Sequence, residues 1–333
     1  MSIEIVAELA QGFEGSPEQA RLMVKAAATA GADAAKFQLV YADELATPDY
    51  KYYKLFRSLE MTDEVWAGLA TYAKELGIHL QLDVFGSRSL ALAVKIGVSE
   101  IKLHGTDINN LGLLTQVAAS PVSKVLLGAG GALASEIQQA VDVLKDKQVL
   151  LLLGYQGYPT PVEGNQIERV RFMTERYKRN ANVIIGFADH AEPDSPCRYA
   201  LAAAAVGAGA KVLEKHLTLG RIMKLEDHEA ALNPDEFLEF TQTLRACDVA
   251  MGTTQGREDF GMSESELGYR KMIRRHVVTS RALTAGASIS PADVILKRTS
   301  SEQIISDLKT VYRKTLKRDI AENHPILPRD IDG

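Results

Sequence analysis

His190 and His216 each close a short, largely apolar run. The first is Val183-Ile184-Ile185-Gly186-Phe187-Ala188-Asp189-His190 and the second is Lys211-Val212-Leu213-Glu214-Lys215-His216. In a strand buried on both faces, the end that carries polar groups is the end that meets ligand. Between the runs lies an alanine-rich helical stretch, residues 198–206, closed by Gly207. The two histidines are therefore expected on successive parallel strands and to converge in space. A pair of neutral imidazoles flanked by Asp189 and Glu214 suits a divalent cation.

Strands and helices must alternate to place them so. Strand-like runs occur at residues 3–8, 34–38, 79–83, 100–104, 124–128, 149–154, 183–186 and 211–216, each followed by a helical pattern. The first helix carries Ser16 as N-cap, Pro17 in its first turn and Gly31 beyond its last turn. Eight such units in about 250 residues match the size of a (β/α)8 TIM barrel. A doubly wound sheet has the same alternation, and pattern alone does not show closure. Beyond Ala250 the texture changes. Residues 253–272 are polar without a strong period and read as a linker. Residues 273–333 return to short β-like pieces, among them His276-Val277-Val278-Thr279 and a run at 294–298. The expected domains are thus a barrel over 1–252, the linker, and a small β-rich domain over 273–333.

The 333 residues are 46% hydrophobic, enough for a large core, and the net charge of −5 gives no electrostatic case for nucleic acid or an anionic membrane. Cys197 and Cys247 form no CxxC pair, so neither a disulfide framework nor a zinc knuckle is expected. No apolar run reaches the ~20 residues of a membrane span, and the N-terminus lacks a basic leader. A cytoplasmic protein is the expectation.

Barrel sites lie at the C-terminal strand ends. In order these ends present Glu8; Lys36 and Gln38; Asp83; Lys102, His104 and Asp107; Gly128-Ala129-Gly130-Gly131; Gln156 and Tyr158; Asp189 and His190; Glu214, Lys215 and His216. Lysines here suit an anionic substrate as point charges. A single Lys or Glu at such an end is as readily a solvated rim residue. The glycine cluster fits a phosphate cradle or a plain tight turn equally well. His228, after Asp227, is a ligand or a rim residue; His79, His104, His276 and His324 read as structural.

At these residues the chain resembles the sialic acid synthase family, the phosphoenolpyruvate-dependent synthases of nine-carbon sugar acids. The shared pieces are Ala7-Glu8-Leu9, Lys36-Phe37-Gln38, Asp107-Ile108-Asn109-Asn110, Tyr158-Pro159-Thr160-Pro161, Ile185-Gly186-Phe187-Ala188-Asp189-His190, Glu214-Lys215-His216-Leu217-Thr218-Leu219 and Asp227-His228. Their order and spacing across nearly the whole chain make the likeness specific. Arg281-Ala282-Leu283, Lys297-Arg298 and Leu316-Lys317-Arg318-Asp319-Ile320 resemble the family's C-terminal antifreeze-like (SAF) domain.

The resemblance implies a TIM-barrel transferase that forms a carbon–carbon bond. Phosphoenolpyruvate would condense with an N-acyl amino sugar such as N-acetylmannosamine. His190 and His216 would hold Mn2+ or Mg2+. It implies Glu8, Lys36, Lys102 and Asp107 as catalytic residues, with Lys36 and Lys102 meeting the donor's phosphate and carboxylate. Gln38, Gln156, Tyr158, Glu214 and Asp227 would bind substrate. It also implies a homodimer with swapped C-terminal domains, in which Arg298 of one chain reaches the partner's sugar. Several hydroxyl-bearing motifs of the family are replaced. Leu82-Asp83-Val84-Phe85 stands for its Ser-Thr-Pro-Phe, His104-Gly105-Thr106 for Gly-Ser-Gly, Gly128-Ala129-Gly130-Gly131 for Ser-Thr-Gly-Met, Ala188 for the Ser of Ser-Asp-His, and Gly12-Phe13 for Asn-His. Each lost hydroxyl costs on the order of 1–3 kcal/mol if its charged partner is left unsatisfied, and by the same resemblance Asp83 would place negative charge near the donor phosphate. Three readings follow: the phosphate is bound differently, through backbone N–H groups with Lys36, Lys102 and Thr106; the donor is a non-phosphorylated keto acid in an aldolase- or lyase-like reaction; or the chain binds sugar without condensing it.

Overall fold

The computed structural model describes residues 2–252, 258–303 and 305–332. The chain divides into two compact units, Met1–Met251 and Gly252–Gly333.

The first unit is a closed barrel of eight parallel strands in sequence order: β1 Glu4–Ala10, β2 Ala34–Gln38, β3 His79–Val84, β4 Glu100–Leu103, β5 Lys124–Gly128, β6 Gln148–Leu153, β7 Val183–Asp189 and β8 Val212–His216. The helices α1 Pro17–Thr29, α2 Asp63–Glu75, α3 Ser87–Lys95, α4 Leu111–Ala119, α5 Ala134–Val143, α6 Glu168–Tyr177, α7 Ala200–Gly207 and α8 Pro234–Met251 follow the strands in turn. Closure of β8 onto β1, with Glu8 opposite His216, decides for the barrel over the doubly wound sheet. Ser16 caps α1 by accepting a hydrogen bond from the Gln19 N–H at 3.2 Å. Thr241 Oγ1 on α8 donates to Ala30 O at 2.8 Å, and Arg245 donates to Gly31 O and Asp33 at 2.9 Å, tying α8 to the end of α1. Between strands and helices lies an apolar core; Phe13, Phe37 and Trp66 meet edge to face there with centroids 5.6–6.0 Å apart.

Side chains alternate along each strand, so every second residue enters the lumen. The lumen is layered. Glu4, Gln81, Glu100 and Lys124 form a polar layer at the N-terminal end. Val6, Ala34, Leu126, Leu150, Leu152, Ala188 and Val212 form an apolar layer above it. Glu8, Lys36, Asp83, Lys102 and Glu214 form a charged layer at the C-terminal end.

In the second unit β9 His276–Thr279 pairs antiparallel with β10 Val294–Lys297 over a core that includes Val277, Leu283, Val294, Leu316 and Ile320. The stretch expected to be irregular linker carries a helix, α9 Glu264–Ile273, whose N-cap Ser263 accepts from the Glu266 N–H. Its apolar residues Leu267, Tyr269 and Met272 are exposed, which blurs the period. Residues 253–257 of the expected linker lie outside the described residues.

This unit also contains a repeat that the sequence reading missed. Arg281 pairs with Asp293 at 2.7 Å and Arg318 with Asp330 at 2.6 Å, each across a separation of 12 residues. Pro291 and Pro328 each open the short turn that holds the aspartate. Gly286 and Asn323, each five residues past its arginine, adopt left-handed φ of 83° and 59°. Leu283 and Ile320 exchange reciprocal 2.8 Å hydrogen bonds, joining corresponding points of the two halves.

Candidate active site

The upper lumen gathers five charged groups from five strands. Lys36 Nζ hydrogen-bonds Glu8 and lies 3.1 Å from Asp83 Oδ1 and 3.2 Å from Glu214 Oε2, the last outside hydrogen-bond geometry. Lys102 Nζ lies 2.7 Å from Glu214 Oε1, 3.4 Å from Glu8 Oε2 and 3.9 Å from Asp83 Oδ2. Every one of these residues is buried. A β-bulge after Glu8 turns the Ala10 N–H back onto Glu8 Oε1 at 2.9 Å, fixing that carboxylate. Three carboxylates thus face two ammonium groups. Burial opposes charge on Glu214, yet Lys102 and Lys36 outweigh it and hold that carboxyl well below its usual range. Burial likewise opposes charge on Lys36 and Lys102, and the carboxylates, Asp83 foremost, outweigh it and raise both. The surplus negative charge falls on Asp83. Burial pushes its carboxyl up to about 6 against the pull of Lys102 and Lys36, and its Oδ2 has no hydrogen-bond partner. The lysines expected as free point charges are already paired.

His190 follows β7 directly and His216 ends β8; their ring centroids are 5.2 Å apart. Tyr158 stands edge-on to both, at 5.2 and 5.5 Å. Burial depresses both imidazoles to about 3, so both are neutral. His190 Nδ1 is buried without a partner. Two facing neutral imidazoles with an orphaned ring nitrogen fit a divalent cation. Among the described residues no group of three or more His, Cys, Asp or Glu is arranged to hold a metal. The protein's offer is therefore a histidine pair, with further positions open to oxygen ligands. Asp189, expected to flank this pair, does not. It alternates to the outer face of β7, where its Oδ1 meets Lys215 at 3.2 Å and accepts from the Ala191 N–H. Lys215 is outside the lumen for the same reason.

His104, read from sequence as structural, belongs to this end of the barrel. Two residues beyond Lys102, it keeps the same face of the strand, a parity that could have revealed it. Its Nδ1 lies 3.4 Å from the Thr106 N–H donor and 3.1 Å from Thr106 Oγ1, and its Nε2 lies 3.2 Å from the Gln156 amide nitrogen. Burial, then Lys102 and Lys36, lower its imidazole to about 4. The neighbouring glycines are packing residues. A Cβ on Gly130 would lie 2.6 Å from Gly154 O, and one on Gly128 would lie 2.8 Å from Gly105 N. The ends of β4, β5 and β6 therefore close on one another through bare backbone, which favours the tight turn over the phosphate cradle.

Of the remaining candidates, Tyr158 and Asp227 lie near Glu8 and the others do not join this cluster. Gln38 accepts a 2.6 Å hydrogen bond from Gln11. Asp107 stands on the turn after β4, accepting from Asn110 at 2.9 Å and Thr106 at 3.2 Å. Asp227 has a left-handed φ of 63°, and burial, then Glu8 and Glu226, push its carboxyl up to about 7. Burial, then Asp227 and Glu8, push the Tyr158 hydroxyl well above its usual range. His228 Nδ1 meets Leu225 O at 2.9 Å. Arg298 is exposed just past β10, in the second unit.

Comparison with known proteins agrees with this fold. Residues 23–256 match the NeuB family and residues 274–332 match the SAF domain. The chain is 26% identical to N,N'-diacetyllegionaminic acid synthase of Legionella pneumophila, covering 100% of this chain and 96% of that protein. It is 30% identical to spore coat polysaccharide biosynthesis protein SpsE of Bacillus subtilis, covering 74% and 68%. Among solved structures, spore coat polysaccharide biosynthesis protein E from Chromobacterium violaceum superposes with TM-score 0.83 at 23% identity, covering 100% of both chains. N-acetylneuraminic acid synthetase from Leptospira borgpetersenii does so with TM-score 0.72 at 25% identity, covering 82% and 93%. The chain belongs to the NeuB family and is an enzyme of the sialic acid synthase kind. Among its described residues no helix is long and apolar enough to cross a membrane.

Proposed function

From membership of the NeuB family we propose that this enzyme condenses phosphoenolpyruvate with an N-acyl amino sugar to give a nonulosonic acid. The observation that carries the reading is the convergence of Glu8, Lys36, Lys102, Glu214, His190 and His216 at the C-terminal mouth of one barrel. Carbon 3 of the donor adds to the acceptor's aldehyde carbon, water adds at carbon 2, and inorganic phosphate leaves. Lys36 and Lys102 neutralise the donor's anionic groups. Glu8, fixed by the Ala10 N–H, exchanges the proton of the attacking water. Asp107 braces the turn after β4. Gln38, Gln156, Tyr158, Glu214 and Asp227 orient the acceptor. His190 and His216 hold a divalent ion, Mn2+ or Mg2+, which when bound supplies Lewis acidity toward the acceptor carbonyl. The reading includes a cytoplasmic homodimer in which the partner's Arg298 meets the sugar's N-acyl group.

Asp83 favours a second reading, an aldolase- or lyase-like reaction of a non-phosphorylated keto acid, because it sets a third carboxylate against the two lysines. Titration of the Mn2+-loaded protein with phosphoenolpyruvate and, in parallel, pyruvate separates the two. Metal-dependent binding of phosphoenolpyruvate, with one phosphate released per acid formed from N-acetylmannosamine or a related aldose, is expected. Binding of pyruvate without phosphoenolpyruvate would replace the synthase reading with the aldolase one.

A further inference from the structure

We propose that Asp83 engages the donor's phosphate as a neutral carboxylic acid, donating a hydrogen bond from Oδ2. This rests on the phosphoenolpyruvate reading and says how such a donor is admitted. The lumen holds three carboxylates and two ammonium groups, and a donor bearing a carboxylate and a phosphate adds at least two more negative charges. Asp83 is fully buried, so an ionised Asp83 would repel that donor with little screening. Its cationic neighbours, Lys36 at 3.1 Å and Lys102 at 3.9 Å, are the same cations the donor must reach.

The unpartnered Oδ2 offers the way out. One proton taken from solvent there removes the repulsion, leaves Lys36 and Lys102 facing two ionised carboxylates, Glu8 and Glu214, rather than three, and creates an O–H donor for a phosphate oxygen. No covalent bond of substrate or enzyme changes in this step. The charged groups around Asp83 are Glu8 from β1, Lys36 from β2, Lys102 from β4 and Glu214 from β8. The two carboxylates favour protonation of Asp83 and the two lysines oppose it; pairing the lysines with the donor weakens that opposition. The free carboxyl already stands at about 6, so the proton is available near neutral pH.

The test is calorimetric titration of the full-length, Mn2+-loaded protein with phosphoenolpyruvate, in buffers of different ionisation enthalpy, for wild type and Asp83→Asn. Asparagine donates a hydrogen bond without taking up a proton. At pH 8 wild type is expected to take up about one more proton per donor bound than the variant. Relative to the variant, its affinity should fall about tenfold per pH unit above neutrality. The donor's own phosphate ionisation is common to both proteins and cancels. Asp83→Ser, which restores a hydroxyl, gives the same comparison if the asparagine variant misfolds. Equal proton uptake by wild type and variants overturns the role of Asp83 and leaves the synthase reading standing. Failure of every form to bind phosphoenolpyruvate at pH 6 overturns both.

Discussion

The barrel lumen carries two polar layers, and they differ in how completely they are satisfied. At the N-terminal end Lys124 lies 2.8 Å from Glu100 and 3.2 Å from Glu4, while Gln81 donates to both glutamates. The side chains of Lys124 and Glu4 remain 21% and 24% exposed, so water reaches that layer. The atom it leaves without a partner is a neutral amide oxygen, Gln81 Oε1. At the C-terminal end the lysines are sealed. The unpartnered atoms there are Asp83 Oδ2, Glu214 Oε2 and His190 Nδ1, two carboxylate oxygens and a ring nitrogen. A structural network is closed on itself; a binding network keeps charged valences open in a dry place. The apolar layer between them keeps the two apart.

Substitution can sharpen this contrast or break it. The largest effect is expected from Lys36→Met. It leaves Glu8, Asp83 and Glu214 facing a single buried lysine and should cost about 3–5 kcal/mol of stability together with all condensation. Chemical denaturation and a product assay measure both, and a loss under 1 kcal/mol would mean that water enters the upper layer. Next, His190→Ala and His216→Ala should each reduce Mn2+ affinity at least a hundredfold while keeping the fold, read by metal titration and circular dichroism. Full affinity in both variants would end the metal assignment.

A smaller effect concerns acid. The folded-state carboxyl of Asp83 is raised, so this group binds its proton in the folded state first. Its contribution to stability grows as pH falls through about 6 and levels off below its ordinary value near 3.8. Asp227 acts in the same sense through about 7, whereas the depressed imidazoles His104, His190 and His216 destabilise the fold as pH falls below 6.5. The difference between wild-type and Asp83→Asn melting curves isolates Asp83. It should move in favour of wild type between pH 8 and pH 5, and parallel curves would contradict the charge surplus assigned to it. The smallest effect is expected from Lys124→Met in the hydrated layer, about 1 kcal/mol with turnover intact. A loss matching that of Lys36→Met would erase the distinction between the layers.

Much of this architecture is legible in the chain because barrel strands announce themselves locally. The expected strand at residues 34–38 is β2 as observed, and Ser16, Pro17 and Gly31 bracket α1 where capping chemistry requires. The histidine pair is legible because its feature repeats on adjacent strands. The pairing of Lys36 and Lys102 with Glu8, Asp83 and Glu214 is not, since it crosses the lumen between β1, β2, β3, β4 and β8, and no local spacing encodes it. Asp189 misled because sequence adjacency to His190 is opposition in a strand. Helix α9 was hidden by its exposed apolar side chains, although Ser263 and Glu266 carry the capping signal.

The doubled clamp of the C-terminal unit has a practical consequence. Because Arg281–Asp293 and Arg318–Asp330 occupy equivalent places in two copies of one design, each is an internal control for the other. A change whose effect depends only on local chemistry must act alike in either copy. A change that acts in one alone reports what that half does beyond holding itself together. Duplication thus lets one small unit separate the cost of folding from the demands of its task within a single molecule.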